Sequence, residues 1–83
     1  MSQKIRQDIP IGHRIRQIRN KNHMTQEAVV TRLQLDGCDM SRSIYSQIEC
    51  GTYNIRVSEL MALSKLFQVG IEEFFNLQPD FSH

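Results

Sequence analysis

Residues 25–51 read TQEAVVTRLQLDGCDMSRSIYSQIECG, which is the pattern of two short helices joined by a turn. Thr25 and Ser41 are of the residue types that cap helices, because a side-chain hydroxyl accepts a hydrogen bond from an N–H group of the first turn. Between the helices, Asp36-Gly37 is a turn signal. The stretch therefore predicts a helix after Thr25, a turn, and a second helix over about 41–50.

The second helix of this pair has an outer face that solubility alone does not explain. Ile44, Tyr45 and Ile48 recur at helical spacing and form its apolar side. The residues opposite them are polar, and none is acidic: Arg42, Ser43, Ser46 and Gln47. A surface helix without a partner usually mixes Glu with Lys. A plain solvated face is the alternative interpretation of the same residues.

Binding to DNA would account for this outer face. Arginine bonds the edge of a guanine, glutamine bonds the edge of an adenine, and serine is short enough for the backbone to approach closely. Acidic side chains would be repelled by phosphates. The N-terminal ends of both helices, capped by Thr25 and Ser41, suit phosphates because these ends carry partial positive charge. The pair is therefore predicted to place its second helix in the major groove.

Helical spacing also recurs outside the pair, whereas the alternation typical of strands does not persist. A first helix is predicted from near Pro10 to near Asn22, and Asn22 accepts the left-handed conformation that ends helices. A fourth helix is predicted from about Val57, and a short fifth one over 71–76. The predicted fold class is all-α, a compact five-helix bundle that contains a helix-turn-helix.

Size and composition limit the chain to one small domain. It has 83 residues, of which 40% are hydrophobic and 23% charged, the range of ordinary globular proteins. We assign the domain to residues 9–76 and predict flexible tails at 1–8 and 77–83. No run of about 18 apolar residues predicts a membrane span, and the first residues do not resemble a signal peptide, so a cytoplasmic location is expected.

The charges are distributed unevenly along the chain. Residues 1–24 carry six basic side chains and one acidic side chain, whereas residues 25–83 carry four basic and eight acidic ones. This asymmetry fits a molecule with one phosphate-facing side, although a solvated basic helix would look the same. Arg14 lies close to the apolar edge of the first helix, where a structural ion pair is an equally good interpretation.

No catalytic or metal site is predicted. The sequence shows no nucleophile beside a base, no paired carboxylates and no glycine loop for phosphates, so an enzyme is not expected. The spacing of His13, His23, Cys38 and Cys50 matches no zinc pattern. We therefore expect no metal and no cofactor.

Three motifs occur in order and at compatible spacing: R-x-x-R ahead of TQE, S-R-S-x-x-S-x-I-E-x-G, and E-L-x-x-L-x-x-x-F-x-V-x-x-E-E-F-F. In these motifs the chain resembles the lambda-repressor-like family, also called the Cro-type or xenobiotic-response-element family of helix-turn-helix proteins. The resemblance covers residues 11–75. It implies a sequence-specific regulator of transcription that binds double-stranded DNA, more often as a repressor.

The resemblance also implies roles for individual residues. Arg42, Ser43 and Gln47 match base-reading positions, and Ser46 flanks them. Gln26 matches a glutamine that bonds a DNA phosphate and braces the recognition helix. The remaining phosphate contacts are expected from Thr25, Ser41 and Arg56.

Two further residues match a pair that shapes the domain. Arg19 from the first helix and Glu49 at the end of the third match a structural ion pair, which would neutralise an acidic residue close to DNA. This chain departs from the family pattern in the turn at 34–40, which is longer than usual and adds two aspartates. Tyr45 stands where a smaller aliphatic residue is usual, and its hydroxyl needs a polar partner if it is buried.

Excess apolar surface near the last helix predicts a homodimer. Leu66 points away from the main stripe of its helix, and the adjacent Phe74 and Phe75 are not expected to face one small core together. In the family this region often forms the dimer contact, and a dimer reads two half-sites.

Two alternatives keep the fold and change the function. The protein could be the antitoxin of a toxin–antitoxin pair, with a toxin as its protein partner. It could also be a protein-interaction module that has lost DNA binding, which the low net charge and the acidic turn favour slightly.

Overall fold

The structure is a computed structural model, and it describes residues 10–75. These residues form four α-helices and a short 3₁₀ helix: α1 (Ile11–Lys21), α2 (Gln26–Leu35), α3 (Arg42–Cys50), α4 (Val57–Phe67) and the 3₁₀ helix (Ile71–Phe75). The predicted all-α class is confirmed. The tails predicted at 1–8 and 77–83, and both ends of the domain predicted at 9–76, lie outside the described residues.

The short fifth helix predicted over 71–76 is a 3₁₀ helix over Ile71–Phe75. Its first bond joins the N–H of Glu73 to the carbonyl of Gly70, three residues earlier. This tighter spacing is typical of helical segments of only a few residues. The four α-helices therefore make up most of the described bundle.

Helix α1 begins after Pro10, as predicted, and ends at Asn22 without a left-handed residue there. Asn22 has φ −89°, and its side chain donates a hydrogen bond to the carbonyl of Ile18 at 2.8 Å. The left-handed conformation falls on His23, with φ +58°. The expectation for Asn22 was therefore wrong by one residue, because the backbone N–H of Asn22 still bonds back into the last turn.

Helices α1 and α3 approach so closely that their backbones touch at Gly12. A Cβ atom at this position would lie 2.9 Å from the carbonyl oxygen of Glu49 and would overlap the carbonyl oxygen of Ile48. Gly12 is buried. Only a residue without a side chain allows the end of α3 to lie this near to α1. Gly12 therefore determines the distance between the two helices at this point.

The long turn between α2 and α3 is closed by its own hydrogen bonds. Gly37 takes φ +90°, and the N–H of Cys38 bonds the carbonyl of Leu33 at 2.8 Å. The side-chain amide of Gln34 donates to the carbonyl of Met40 at 2.7 Å, and the side chain of Met40 is 1% exposed. The extra residues of this turn therefore fold back onto the core, with Met40 as the anchor.

All four α-helices contribute buried side chains to the core, and Phe74 of the 3₁₀ helix joins them. Ile11, Ile15 and Ile18 of α1 belong to this core together with Leu63 and Phe67 of α4, and all of them are buried. Arg14 bonds Glu73 of the 3₁₀ helix twice, from Nε to its backbone carbonyl at 2.8 Å and from Nη2 to its carboxylate at 3.0 Å. Arg14 therefore holds the 3₁₀ helix against α1.

One of the residues predicted for a dimer contact belongs to the core instead. Phe74 is 0% exposed, whereas Leu66 and Phe75 are half-buried. Adjacent residues of a 3₁₀ helix point in directions about 120° apart, so one phenylalanine enters the core while its neighbour covers the edge. The largest exposed apolar side chains of residues 10–75 are Leu35 and Met61, which the sequence analysis did not single out.

Candidate nucleic-acid interface

The N-terminal ends of α2 and α3 are both capped by hydroxyl groups. The Oγ1 atom of Thr25 accepts from the N–H of Ala28, and the Oγ atom of Ser41 accepts from the N–H of Ile44, each at 3.0 Å. Both capping residues are exposed. The first turn of a helix presents N–H groups without intrahelical partners and carries partial positive charge. The end of α3 is therefore a suitable anion-binding site, and the end of α2 is a weaker one because the exposed Glu27 lies in its first turn.

The outer face of α3 presents the predicted base-reading side chains to solvent. Arg42, Ser43 and Gln47 are exposed, and Ser46 is half-buried. The amide of Gln47 donates to the hydroxyl of Ser43 at 3.4 Å. The acidic residue of α3, Glu49, turns inward and is 9% exposed. The exposed face of the helix therefore carries one cation, hydroxyls and an amide, without an anion.

Arg19 of α1 and Glu49 of α3 form a buried ion pair. Nε of Arg19 lies 2.7 Å from Oε2 of Glu49, and Nη2 lies 3.0 Å from Oε1. The two side chains are 11% and 3% exposed. A further N–H group of Arg19 bonds the carbonyl of Met24 at 2.9 Å. The pair thus ties the last turn of α3 to α1 and to the loop that precedes α2.

Gln26 connects this ion pair to the exposed face of α3. Its Nε2 atom donates to Oε1 of Glu49 at 3.0 Å, and its Oε1 atom accepts from Nε of Arg42 at 3.2 Å. The longer turn therefore does not prevent Gln26 from reaching Arg42. Four side chains form a continuous chain of hydrogen bonds, in the order Arg19, Glu49, Gln26 and Arg42, that runs from the core to the outer face.

The hydrogen bonds to Glu49 lower the pKa of its carboxyl group. Burial acts to raise this pKa, but hydrogen bonds from Arg19 and Gln26 and the nearby Tyr45 hydroxyl favour the ionised form and outweigh burial. The same pair raises the pKa of Arg19, chiefly through its hydrogen bond to Glu49. Both members of the pair are therefore charged in the folded protein at neutral pH.

The ionised Glu49 makes stability depend on acidity. The folded-state pKa of Glu49 lies below its ordinary value of 4.5, so the unfolded chain takes up this proton first as the pH falls. The stability that this carboxylate contributes is present above that ordinary value and is lost as the pH falls through the folded pKa. We expect Tm to fall as the pH is lowered from about 5 to about 3, and to fall less steeply in the Glu49→Gln variant. Circular dichroism melts across this range measure both slopes, and equal slopes would contradict the prediction.

Tyr45 lies beside the ion pair, with its hydroxyl group inside the core. The side chain is 0% exposed, and the hydroxyl makes no hydrogen bond of standard geometry with the described residues. Burial and the neighbouring Glu49 carboxylate raise the pKa of this phenol well above its ordinary value. The polar partner that a buried tyrosine requires is therefore the edge of the Arg19–Glu49 pair, reached with imperfect geometry.

Arg56, an expected phosphate contact, lies among acidic residues. It lines an open groove of about 330 Å³ together with residues 36–39 of the long turn and Glu59 of α4. Its backbone N–H donates to the carboxylate of Glu59 at 2.8 Å. Asp36 and Asp39 belong to the same groove. The charge of Arg56 is therefore partly offset by nearby carboxylates, which weakens its attraction for a phosphate.

Cys38 also lines this groove, and its surroundings disfavour a reactive thiolate. Burial raises the pKa of the Cys38 thiol, and the nearby carboxylates of Glu59 and Asp39 raise it further. Within residues 10–75, no three side chains of His, Cys, Asp or Glu gather closely enough to hold a metal ion. None of the helices described is both long and apolar enough to cross a membrane.

Two positions that shape the interface were missed in the sequence. Gly12 was unassigned, although a glycine beside an apolar residue within a helical pattern often has a packing reason. Gln34 was included only as part of the long turn. No local pattern marks it, because its bond to the carbonyl of Met40 spans six residues of irregular backbone.

Comparison with known proteins identifies similar chains. A family model described as Helix-turn-helix matches residues 15–74. No curated protein matches the chain. Among solved structures, the chain is similar to the restriction-modification controller protein C.AhdI from Aeromonas hydrophila, with 25% identity and a TM-score of 0.68, over 81% of this chain and 94% of that chain. The family match includes all of α2, α3 and α4.

Proposed function

The chain belongs to the helix-turn-helix family of DNA-binding transcription regulators, and from this premise we propose that it is a cytoplasmic, sequence-specific repressor that places α3 in the major groove. The observation that carries the proposal is the bond between Gln26 and Arg42, 3.2 Å long. This bond holds the start of α2 beside the start of α3, so that one surface presents both capped helix ends and the non-acidic face of α3.

The side chains on this surface divide by the part of DNA that each would contact. Arg42, Ser43 and Gln47 are exposed on α3 and are proposed to read base edges, with Ser46 beside them. Phosphates would be bound at the capped helix ends and by Gln26, whose Nε2 keeps a second N–H group beyond the one donated to Glu49. Arg56 is a weaker candidate because carboxylates share its groove.

A homodimer is proposed to read two half-sites. Leu66 and Phe75 remain the candidates for its contact, since both are half-buried at the edge of the core. Val69 and Ile71, which lie between these two residues in the sequence, are also half-buried against the core. One module makes few base contacts, and pairing two of them on one duplex raises both affinity and specificity.

The substitution Arg42→Ala is expected to weaken specific binding and to relax one base position. Selection from a randomised duplex pool with the wild-type protein should enrich an inverted repeat whose half-sites lie about 10 base pairs apart. Loss of the arginine should cost about 1–3 kcal/mol of binding free energy and blur one position in each half-site. Parallel selections at near-physiological salt, followed by titrations, measure both effects.

Lys65→Ala is the matched control, because Lys65 is an exposed cation on α4 and lies outside the proposed interface. Its affinity and selected sequence should match those of the wild-type protein. Enrichment of no sequence by the wild-type protein would contradict the proposed function and would direct the search to protein partners, including a toxin. An Arg42→Ala variant that selects the wild-type sequence would remove Arg42 from the reading residues.

A further inference from the structure

The side-chain amide of Gln26 is held in one orientation. An ionised carboxylate only accepts hydrogen bonds, so the atom of Gln26 that lies 3.0 Å from Oε1 of Glu49 is the donor Nε2. The other end of the amide, Oε1, then faces outward and is an acceptor. The group found there is a donor, Nε of Arg42, at 3.2 Å. The buried carboxylate thus determines which end of the Gln26 amide faces Arg42.

Glu49 is well placed to set this polarity before any partner arrives. Its side chain is 3% exposed, and Arg19 holds both of its oxygens, at 2.7 Å and 3.0 Å. Burial and these two bonds therefore keep the carboxylate in front of Gln26. The chain of bonds is already complete in the protein alone, so the orientation of Gln26 does not have to be acquired on binding.

The bond to Gln26 determines how Arg42 faces outward. Because Nε is engaged at 3.2 Å, the guanidinium of this exposed side chain is anchored on that side, and its two Nη groups remain available to a partner. Two parallel N–H groups match the O6 and N7 acceptors of guanine in the major groove. Adenine presents an N6 donor where guanine has O6, so it would oppose one of the two N–H groups.

We infer that Glu49 is a positioning residue for specificity: it orients the Gln26 amide, which presents Arg42 end-on to one guanine in each half-site. The inference rests on the proposed function and goes beyond the structural role of the Arg19–Glu49 pair. A purely structural pair would tie α3 to α1 whatever base lies opposite Arg42. A positioning carboxylate also sets the preference for that base.

The test compares three variants on one selected site and its substituted forms. Glu49→Gln keeps the shape of the side chain but lets its amide offer a donor to Gln26, which frees the Gln26 amide to reverse and face Arg42 with a donor. Gln26→Ala removes the connection without altering the buried pair. Arg19→Lys is the matched control, because it weakens the pair but leaves a carboxylate in front of Gln26.

Binding is measured with guanine, adenine or 7-deazaguanine at the position that Arg42→Ala blurs. Titrations are made at low temperature, where circular dichroism shows each variant to be folded. A bidentate contact to guanine discriminates by about 5- to 150-fold. We expect the wild-type protein and Arg19→Lys to prefer guanine within this range and to lose the preference with 7-deazaguanine. Glu49→Gln and Gln26→Ala should both bring the ratio of guanine to adenine affinity to within about threefold of unity, far below that range.

Two outcomes overturn the inference while leaving the proposed function in place. One is a wild-type preference for guanine in both Glu49→Gln and Gln26→Ala. The other is an equal loss of preference in Arg19→Lys and Glu49→Gln, which would show that weakening the pair is sufficient. Failure of the wild-type protein to select any sequence overturns the proposed function itself, and the inference with it.

Discussion

Replacing Glu49 with alanine should lower the free energy of unfolding by about 3–5 kcal/mol, the cost of removing one member of a buried ion pair. The loss is large because Arg19 would remain with a guanidinium that is only 11% exposed and has lost two hydrogen bonds. Gln26 would lose an acceptor as well. Urea unfolding followed by circular dichroism measures the change, and a small domain with a few kcal/mol of stability would be partly unfolded at 25 °C.

The double variant Arg19→Met, Glu49→Leu separates the loss of a partner from the value of the pair. Apolar residues of similar volume leave no charge buried, and such exchanges are often neutral or stabilising. We therefore expect the double variant to be more stable than Glu49→Ala, although the Met24 carbonyl and Gln26 lose their bonds to the pair in it. Glu27→Ala removes an exposed carboxylate and controls for charge, with an expected change within about 0.5 kcal/mol. A Glu49→Ala variant as stable as this control would contradict the prediction.

Gly12→Ala is expected to be the second most damaging substitution, with a loss of about 1–3 kcal/mol or more. The new methyl group would meet the carbonyl oxygens of Ile48 and Glu49, and a backbone group does not rotate away as a side chain does. The end of α3 would have to move outward, which also lengthens the bonds between Arg19 and Glu49. Alanine favours helices by about 1 kcal/mol over glycine. The measured loss of stability is therefore smaller than the energetic cost of the clash by about that amount.

The neighbouring substitution His13→Ala supplies the control for Gly12→Ala. His13 is exposed on the same turn of α1, so alanine there gains helix propensity without meeting α3. Its stability should equal or slightly exceed that of the wild-type protein. For a domain of this size, each kcal/mol lost corresponds to a fall in Tm of about 4–8 °C. A Gly12→Ala protein with the same Tm as the His13→Ala control would show that α1 and α3 move apart without loss of stability.

Much of the fold could be predicted because its signals are local. Thr25 and Ser41 accept the predicted capping bonds, and Gly51 ends α3 with φ +80°. Each of these features depends on a few adjacent residues. The non-acidic face of α3 was visible for the same reason, since helical spacing alone assigns residues to a face. The partners Arg19 and Glu49, 30 residues apart in the chain, were paired only through the family resemblance.

The features that were missed depend on three-dimensional packing. Phe74 and Phe75 have the same chemistry, and only the 3₁₀ geometry of their backbone sends Phe74 into the core. Whether Gln26 reaches Arg42 across a longer turn depended on how that turn folds. Its closure by Gln34 and Met40 joins groups that no periodicity brings together. Such contacts follow from the finished arrangement of the helices and not from any single segment.

The closed turn at 34–40 has a consequence for the entropy of association. A helix pair joined by a slack loop would be ordered when a partner binds, at about 0.5–1.5 kcal/mol for each side chain immobilised. Here the bond from Gln34 and the burial of Met40 already restrict that segment in the free chain. The conformational freedom of this segment is therefore lost on folding and is not lost a second time on binding.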